Sequence, residues 1–147
     1  MDRKNFIKTC GFACIGGAVL SPLLQGCATA DHYVKADTKG NILVIKKAEF
    51  IKTGGSGKAS YHKYVILKNQ QFGFPICIYR FAADEYTALL MRCTHKGCEV
   101  KPQGDFLVCP CHGSEFTNRG VVQSAPAQEN LKAFIIKTDN ENIYIQV

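Results

Sequence analysis

Six of the strongest metal-binding side chains in the sequence fall in two six-residue stretches. Cys93-Thr94-His95-Lys96-Gly97-Cys98 carries two thiols and an imidazole, and Cys109-Pro110-Cys111-His112-Gly113-Ser114 carries the same three groups in another order. Thiolates and imidazoles are the ligands that soft and borderline transition metals select. Ten residues separate the stretches, enough for a hairpin that brings them face to face. Structural zinc is the plainest reading of Cys and His in fours, because Zn²⁺ takes tetrahedral sets of these ligands. It leaves two of the six side chains without a role.

The two motifs resemble those of the Rieske iron–sulfur proteins. C-x-H-x-G-C followed by C-P-C-H-G-S is the disulfide-containing form found in cytochrome bc-type complexes, and the resemblance covers about residues 41–147. It implies one Rieske 2Fe–2S cluster, with Cys93 and Cys109 on one iron through thiolate and His95 and His112 on the other through imidazole. It also implies a disulfide between Cys98 and Cys111. Two neutral imidazoles in place of two thiolates remove negative charge, so the cluster accepts an electron more readily. Potentials of about −150 to +300 mV result, against about −400 mV for plant-type ferredoxins. The outer imidazole N–H can lose a proton on oxidation, which couples electron and proton transfer as quinol oxidation requires. The bridge closes loops with little core of their own and suits an oxidising compartment. Gly97 and Gly113 leave room for tight backbone near the cluster, and Pro110 fixes φ between two cysteines of different fate.

The neighbours of these motifs follow the same resemblance in part. Ser114 corresponds to a serine whose hydroxyl bonds a bridging sulfide in high-potential members; a loop cap is the alternative. Phe116 stands where those members carry Tyr, so a hydroxyl donor to a cysteine sulfur is missing. Lys96 occupies a position that is usually apolar, where the side chain shields the cluster and touches cytochrome b. A cation there argues against docking into the same apolar pocket, unless Lys96 is simply a solvated loop residue. Ser124-Ala125-Pro126-Ala127 resembles the proline-containing third loop over the cluster, with the fit at Pro126 and Ala127. Cys77 reads as a buried apolar thiol, and His32 and His62 as solvent-facing residues.

The elements that must position these loops are short β-rich runs separated by turn residues. The runs are Ile42 to Ile45, Tyr64 to Leu67, Phe74 to Phe81 broken at Pro75, Tyr86 to Arg92, Phe106 to Cys109, Val121-Val122, Leu131 to Thr138 and Ile143 to Val147. No long helical period, internal repeat or low-complexity segment interrupts them. The expected fold is all-β, a sandwich or small barrel, and the resemblance implies a Rieske-like antiparallel β sandwich with a cluster-binding subdomain built from the two Cys-His loops.

The first residues read as an address. Arg3-Lys4-Asn5-Phe6-Ile7-Lys8 resembles a twin-arginine export motif with Lys for the second Arg, general secretion being the alternative. An uncharged run from Thr9 to Ala30 follows. Leu24-Gln25-Gly26-Cys27 resembles a lipobox. The expected organisation is an export signal over 1–26, a lipidated Cys27 with a polar tether over 27–40, and the Rieske domain over 41–147. An uncleaved anchor is the alternative, although Pro22 and Gln25 make a poor spanning helix. Cys10 and Cys14 serve as small hydrophobes.

The whole chain has 147 residues, 46 % of them hydrophobic, with eight Cys and a net charge of +6. Its cations are scattered, so no nucleic-acid patch is expected. The expected protein is a membrane-tethered one-electron carrier on the outward, periplasmic face of the cytoplasmic membrane. It serves a quinol-oxidising complex of the bc type, with cytochrome b or another quinol-oxidising membrane subunit as donor side and a c-type cytochrome as acceptor. It is a redox subunit without a complete active site of its own. A Rieske partner of another periplasmic oxidoreductase, as in arsenite oxidase, is the alternative, followed by a structural zinc module. The length leaves no room for the mononuclear iron domain of a Rieske oxygenase. The disulfide pair and export signal disfavour a soluble ferredoxin.

Overall fold

A computed structural model describes residues 31–52, 59–68 and 70–147. The export signal over 1–26 and the lipidation at Cys27 fall outside the described residues. Among those residues are twelve strands: β1 (Tyr33–Val34), β2 (Asp37–Lys39), β3 (Ile42–Lys46), β4 (Tyr64–Leu67), β5 (Ile76–Arg80), β6 (Tyr86–Leu90), β7 (Lys101–Gln103), β8 (Phe106–Val108), β9 (Glu115–Thr117), β10 (Val122–Ser124), β11 (Ala133–Thr138) and β12 (Asn142–Gln146). A single 3-10 turn, Lys47–Phe50, is the only helical element among them. The all-β expectation holds.

Eight strands form one sheet in the order β1-β4-β5-β6-β11-β12-β3-β2, and four form a second in the order β10-β9-β8-β7. The large sheet curls because β11 changes partner along its length. Ala133 and Phe134 pair with β6, whereas Ile135 to Thr138 pair with β12. The two halves then face each other across a core that contains Val65 and Ile78 from one side and Ile45 and Ile143 from the other.

The centre of the large sheet is buried on both faces. Strand side chains alternate in direction. Val65, Leu67, Ile76, Ile78, Ala88 and Leu90 enter the first core, while Ile66, Cys77, Tyr79 and Leu89 enter a second. That is why β4, β5 and β6 read as unbroken apolar runs. The small sheet covers the second face, supplying Leu107 and Phe116. Polar ties fix it there. Tyr79 Oη donates to the Phe106 carbonyl at 3.2 Å and Thr87 Oγ1 to the Asn118 carbonyl at 2.7 Å. Lys63 pairs with Asp105, and Arg119 with Glu85.

Four strands, β1, β2, β7 and β9, lie outside the apolar runs of the sequence. β7 is Lys-Pro-Gln at the edge of the small sheet, where a residue without an N–H is tolerated. β1 and β2 lie inside the segment expected as a tether to residue 40. Val34 is buried against the first core, and Gly40-Asn41 turns β2 into β3 with Lys39 opposite Ile42. The ordered domain therefore starts before residue 41.

Gly120 is the most closely packed of the left-handed glycines among the described residues. Its φ is +81°, and a Cβ there would lie 2.8 Å from Leu89 Cδ2 and 3.6 Å from the Leu131 carbonyl oxygen. A left-handed residue with a Cβ costs about 1–2 kcal/mol, and overpacking adds about 1–3 kcal/mol. Gly120→Ala is expected to lower unfolding free energy by about 2 kcal/mol or more in denaturant titration. Gly104→Ala carries only the backbone cost, because nothing lies within 4 Å of its Cβ position.

Candidate metal centre

Antiparallel register brings three loops to one end of the small sheet. Lys101 at the start of β7 lies opposite Val108 at the end of β8, and Val108 lies opposite Glu115 at the start of β9. The Cys93–Cys98 loop enters β7 there, and the Cys109–Ser114 loop joins β8 to β9. Ser124, opposite Glu115 at the end of β10, starts the third loop.

The two Cys-His loops share one backbone pattern. Cys93 N–H donates to the Cys98 carbonyl and Gly97 N–H to the Cys93 carbonyl; Cys109 N–H donates to the Ser114 carbonyl and Gly113 N–H to the Cys109 carbonyl. Gly97 and Gly113 occupy equivalent positions with φ of +76° and +78°, a region that favours glycine. Space is not the reason at Gly113, whose Cβ position has no neighbour within 4 Å, and at Gly97 only the flexible Arg92 guanidinium comes near.

Side chains differ where the backbones agree. Cys93 and Cys109 open their loops with free thiols, each 2 % exposed. Cys98 and Cys111 are joined in a disulfide across the loops. The Cys109 sulfur lies within 4.8 Å of both disulfide sulfurs, which are already bonded to each other, so these three sulfurs are not a ligand set. The His95 and His112 rings meet edge to face, 5.0 Å between centroids. His95 Nδ1 is buried with no hydrogen-bond partner. A buried polar nitrogen without a partner costs about 1–3 kcal/mol. Two free buried thiols and two facing imidazoles, one with an orphaned nitrogen, are the donor set a Rieske cluster takes, and they fit it.

The third loop closes over both. Ala127 N–H donates to Ser114 Oγ at 3.0 Å, and Thr94 Oγ1 donates to the Glu129 carbonyl at 2.7 Å. Ser114, fully buried, thus ties the loops together, and its own hydroxyl proton has no acceptor among the described residues. Pro126 follows a cis peptide at the loop's centre. Thr94 is a residue that sequence reasoning passed over; a hydroxyl between two ligand-type residues was the available signal. Phe116 is fully buried in the same core as Cys93 and Cys109. Lys96 is exposed.

The remaining candidates lie apart. Cys77 is fully buried in the second core, and burial pushes its thiol well above the usual range, which keeps it an inert hydrophobe. His32 and His62 are partly exposed to solvent, as expected, and their side chains also meet each other. Both are half-buried, their rings stacked at 4.6 Å with Glu49 3.9 Å from His32. Burial, then the His32 and Lys52 charges, lower the His62 pKa.

Fold and site together define a small iron–sulfur electron carrier: a β platform under a loop-built cap. The chain belongs to the Rieske [2Fe-2S] domain family, whose sequence profile matches residues 37–135, and it carries a Rieske-type cluster. It is 35 % identical over 63 residues to the cytochrome b6-f complex iron-sulfur subunit of Chlorobaculum tepidum, a match spanning 42 % of this chain but 35 % of that protein. It is 26 % identical over 149 aligned positions to the same-named subunit of Trichodesmium erythraeum, spanning 89 % of this chain and 76 % of that one. Among solved structures, the plasma-membrane Rieske protein of Synechocystis PCC 6803 superposes with a TM-score of 0.51 at 26 % identity, covering 58 % of this chain and 87 % of that chain. The protein is an electron carrier related to subunits of cytochrome bc complexes.

The disulfide spans 13 residues of sequence, and loss of a native bridge costs about 2–5 kcal/mol. Cys98→Ser and Cys111→Ser are expected to speed iron loss to a chelator at least tenfold. Cys77→Ala is expected to leave that rate within about twofold, and visible absorbance follows both.

Proposed function

We propose that this protein is the membrane-tethered electron-transfer subunit of a quinol-oxidising complex of the cytochrome bc type. In this reading Cys93 and Cys109 hold one iron through their thiolates, and His95 and His112 hold the other, His95 through Nδ1. The observation that carries it is the pairing of two buried free thiols with two facing imidazoles in loops locked by the Cys98–Cys111 bridge. When bound, the cluster supplies a one-electron acceptor of raised potential.

The chain's own residues account for the remaining properties. Cys93 and Cys109 lie in the second core, which excludes water from their sulfurs. His112 is exposed and His95 half-buried, so the histidine edge is the side on which a donor or acceptor can approach. Ser114 keeps a hydroxyl proton to donate inward, and Ala127 fixes its oxygen. Tethering comes from Cys27 as a lipidated first residue on the outward face of the cytoplasmic membrane. No helix among the described residues is long and apolar enough to cross a membrane. Cytochrome b and a c-type cytochrome are the partners this reading requires. The two relatives named above are iron–sulfur subunits of cytochrome b6-f complexes.

A second reading, service to another periplasmic oxidoreductase, is favoured by Lys96, an exposed cation where an apolar docking residue is expected. Purification from native membranes separates the two. Co-purified b-type haem supports the bc-type complex, and molybdenum supports the other. Holoprotein matured in its own host is expected to hold two irons and two acid-labile sulfides per chain, with a Rieske-type EPR signal on reduction. One zinc and no labile sulfide would end the reading.

Phe116 gives a test of potential. A hydroxyl donated to a ligand sulfur stabilises the more negative, reduced state. Bonds to charged groups contribute about 1.5–3 kcal/mol in total, and a differential of about 1 kcal/mol between redox states corresponds to about 40 mV for one electron. Phe116→Tyr is expected to raise the potential by about 40 mV, and Ser114→Ala to lower it by at least as much, by voltammetry at fixed pH. A Phe116→Tyr protein that loses stability at unchanged potential would place residue 116 away from the sulfur.

A further inference from the structure

Beside the His95 loop lies an open cleft of about 380 Å³, lined by Arg92, Thr94, His95, Lys96, Glu129 and Lys132 among others. Three of these residues are cations and one is an acid. Arg92, Lys96 and Lys132 are exposed, and none forms an ion pair among the described residues. Glu99, bridged through its backbone to Arg92, is engaged by Lys101, so Glu129 is the one acid that faces three cations in the lining. Aromatic faces hold two of the cations in place instead. Arg92 lies over the Phe74 ring at 5.7 Å, and Lys132 over Phe72 and Phe134 at 4.5 and 4.8 Å. An aromatic face positions a cation without neutralising it.

We infer that this cleft is an electrostatic docking surface for a redox partner that presents a cluster of carboxylates. The inference rests on the electron-carrier reading above and adds the chemistry of the partner. Unpaired like charges cost self-repulsion unless something of opposite sign meets them. Here they ring the edge of His95, the side from which an electron can leave. A bilayer headgroup surface has no need to coincide with that edge, whereas a protein acceptor must reach it. Complementary charge raises encounter rates by about 10–10³-fold, and salt removes the gain.

The test uses cluster-loaded full-length protein and one haem protein in two charge states: native, basic cytochrome c and its succinylated, acidic form. Reduced protein is mixed with each oxidant in a stopped-flow instrument across ionic strengths. The acidic form is expected to be reduced at least fivefold faster at low salt, with the preference gone at high salt. Arg92→Gln/Lys96→Gln/Lys132→Gln is expected to abolish the preference. A control of equal net charge, Lys35→Gln/Lys39→Gln/Lys137→Gln, is expected to keep it. Equal losses in both variants would make overall charge the cause and overturn the inference. So would rate changes that follow only the measured potentials of the variants. A site variant that keeps the preference but loses binding to phosphatidylglycerol vesicles would assign the cations to a membrane and likewise overturn it. A preparation without labile sulfide overturns the electron-carrier reading and the inference together. A cluster-containing protein indifferent to oxidant charge overturns only the inference.

Discussion

Because the centres of β4, β5 and β6 are covered on both faces, their apolar side chains must satisfy one of two cores, and no register slip is tolerated. A shift by one residue would exchange Val65, Ile78 and Ala88 with Ile66, Cys77 and Leu89, and the two cores are not interchangeable. The first is a hydrocarbon interior of aliphatic side chains with Phe50 and Phe134, closed by the curl of the large sheet. The second joins the platform to the small sheet and reaches the sulfurs of Cys93 and Cys109. The polar atoms allowed into this second interface are paired where they cross it. Tyr79 finds the Phe106 carbonyl and Thr87 the Asn118 carbonyl. Burial lifts the Tyr79 hydroxyl far above its usual range, so it stays a neutral donor. The loops that carry the chemistry are thus extensions of a layer whose register is fixed from both sides.

Two loops with equivalent backbones and different side-chain positions explain how so short a cap makes two kinds of site. In each, a cysteine opens the turn and a glycine at φ near +77° lets its N–H return to that cysteine's carbonyl. In one loop the histidine stands second after the opening cysteine and another cysteine closes the turn. In the other, a cysteine stands second, the histidine third and Ser114 closes the turn. This offset lets Cys98 meet Cys111 while the two imidazoles face each other. It also frees Ser114 for the third loop, where a cysteine in its place would have no such oxygen to offer Ala127.

Most of this was legible in the sequence because the strongest signals are local. The glycine-bearing turns, the six ligand-type side chains and the apolar runs of β3 to β6, β11 and β12 depend on neighbours in the chain. The strands that escaped depend on distant partners. β7 carries Pro102 and is a strand only because β8 lies beside it, and β9 has one apolar residue, Phe116, facing a core it does not build alone. β1 looks like a linker until Tyr33-Val34 meets Ile66-Leu67 in parallel. Charge placement was legible least. Arg92 and Lys132 are far apart in sequence, and nothing in either motif shows that both would flank His95. The stacked His32–His62 pair escaped for the same reason.

The cap is asymmetric in a way that sets where an electron can pass. Its far end, at the Gly104-Asp105 turn, is held to the platform by Lys63 and Tyr79. Its sulfur side is sunk in the second core, with Cys93 and Cys109 each 2 % exposed. The histidine side faces outward, His112 fully and His95 in part. Electron transfer weakens steeply with distance, so burial of the sulfur side favours exchange through the histidine side. Rigidity serves the same end. The disulfide, the Ser114–Ala127 bond and the Thr94–Glu129 bond cross between loops that share only their inner edge with the second core. Each removes freedom that the loops would otherwise use to change ligand geometry as charge on the site changes. A platform fixed by two cores and a cap fixed by three cross-links hold the site, while the surface around His95 carries cations outside any ion pair among the described residues.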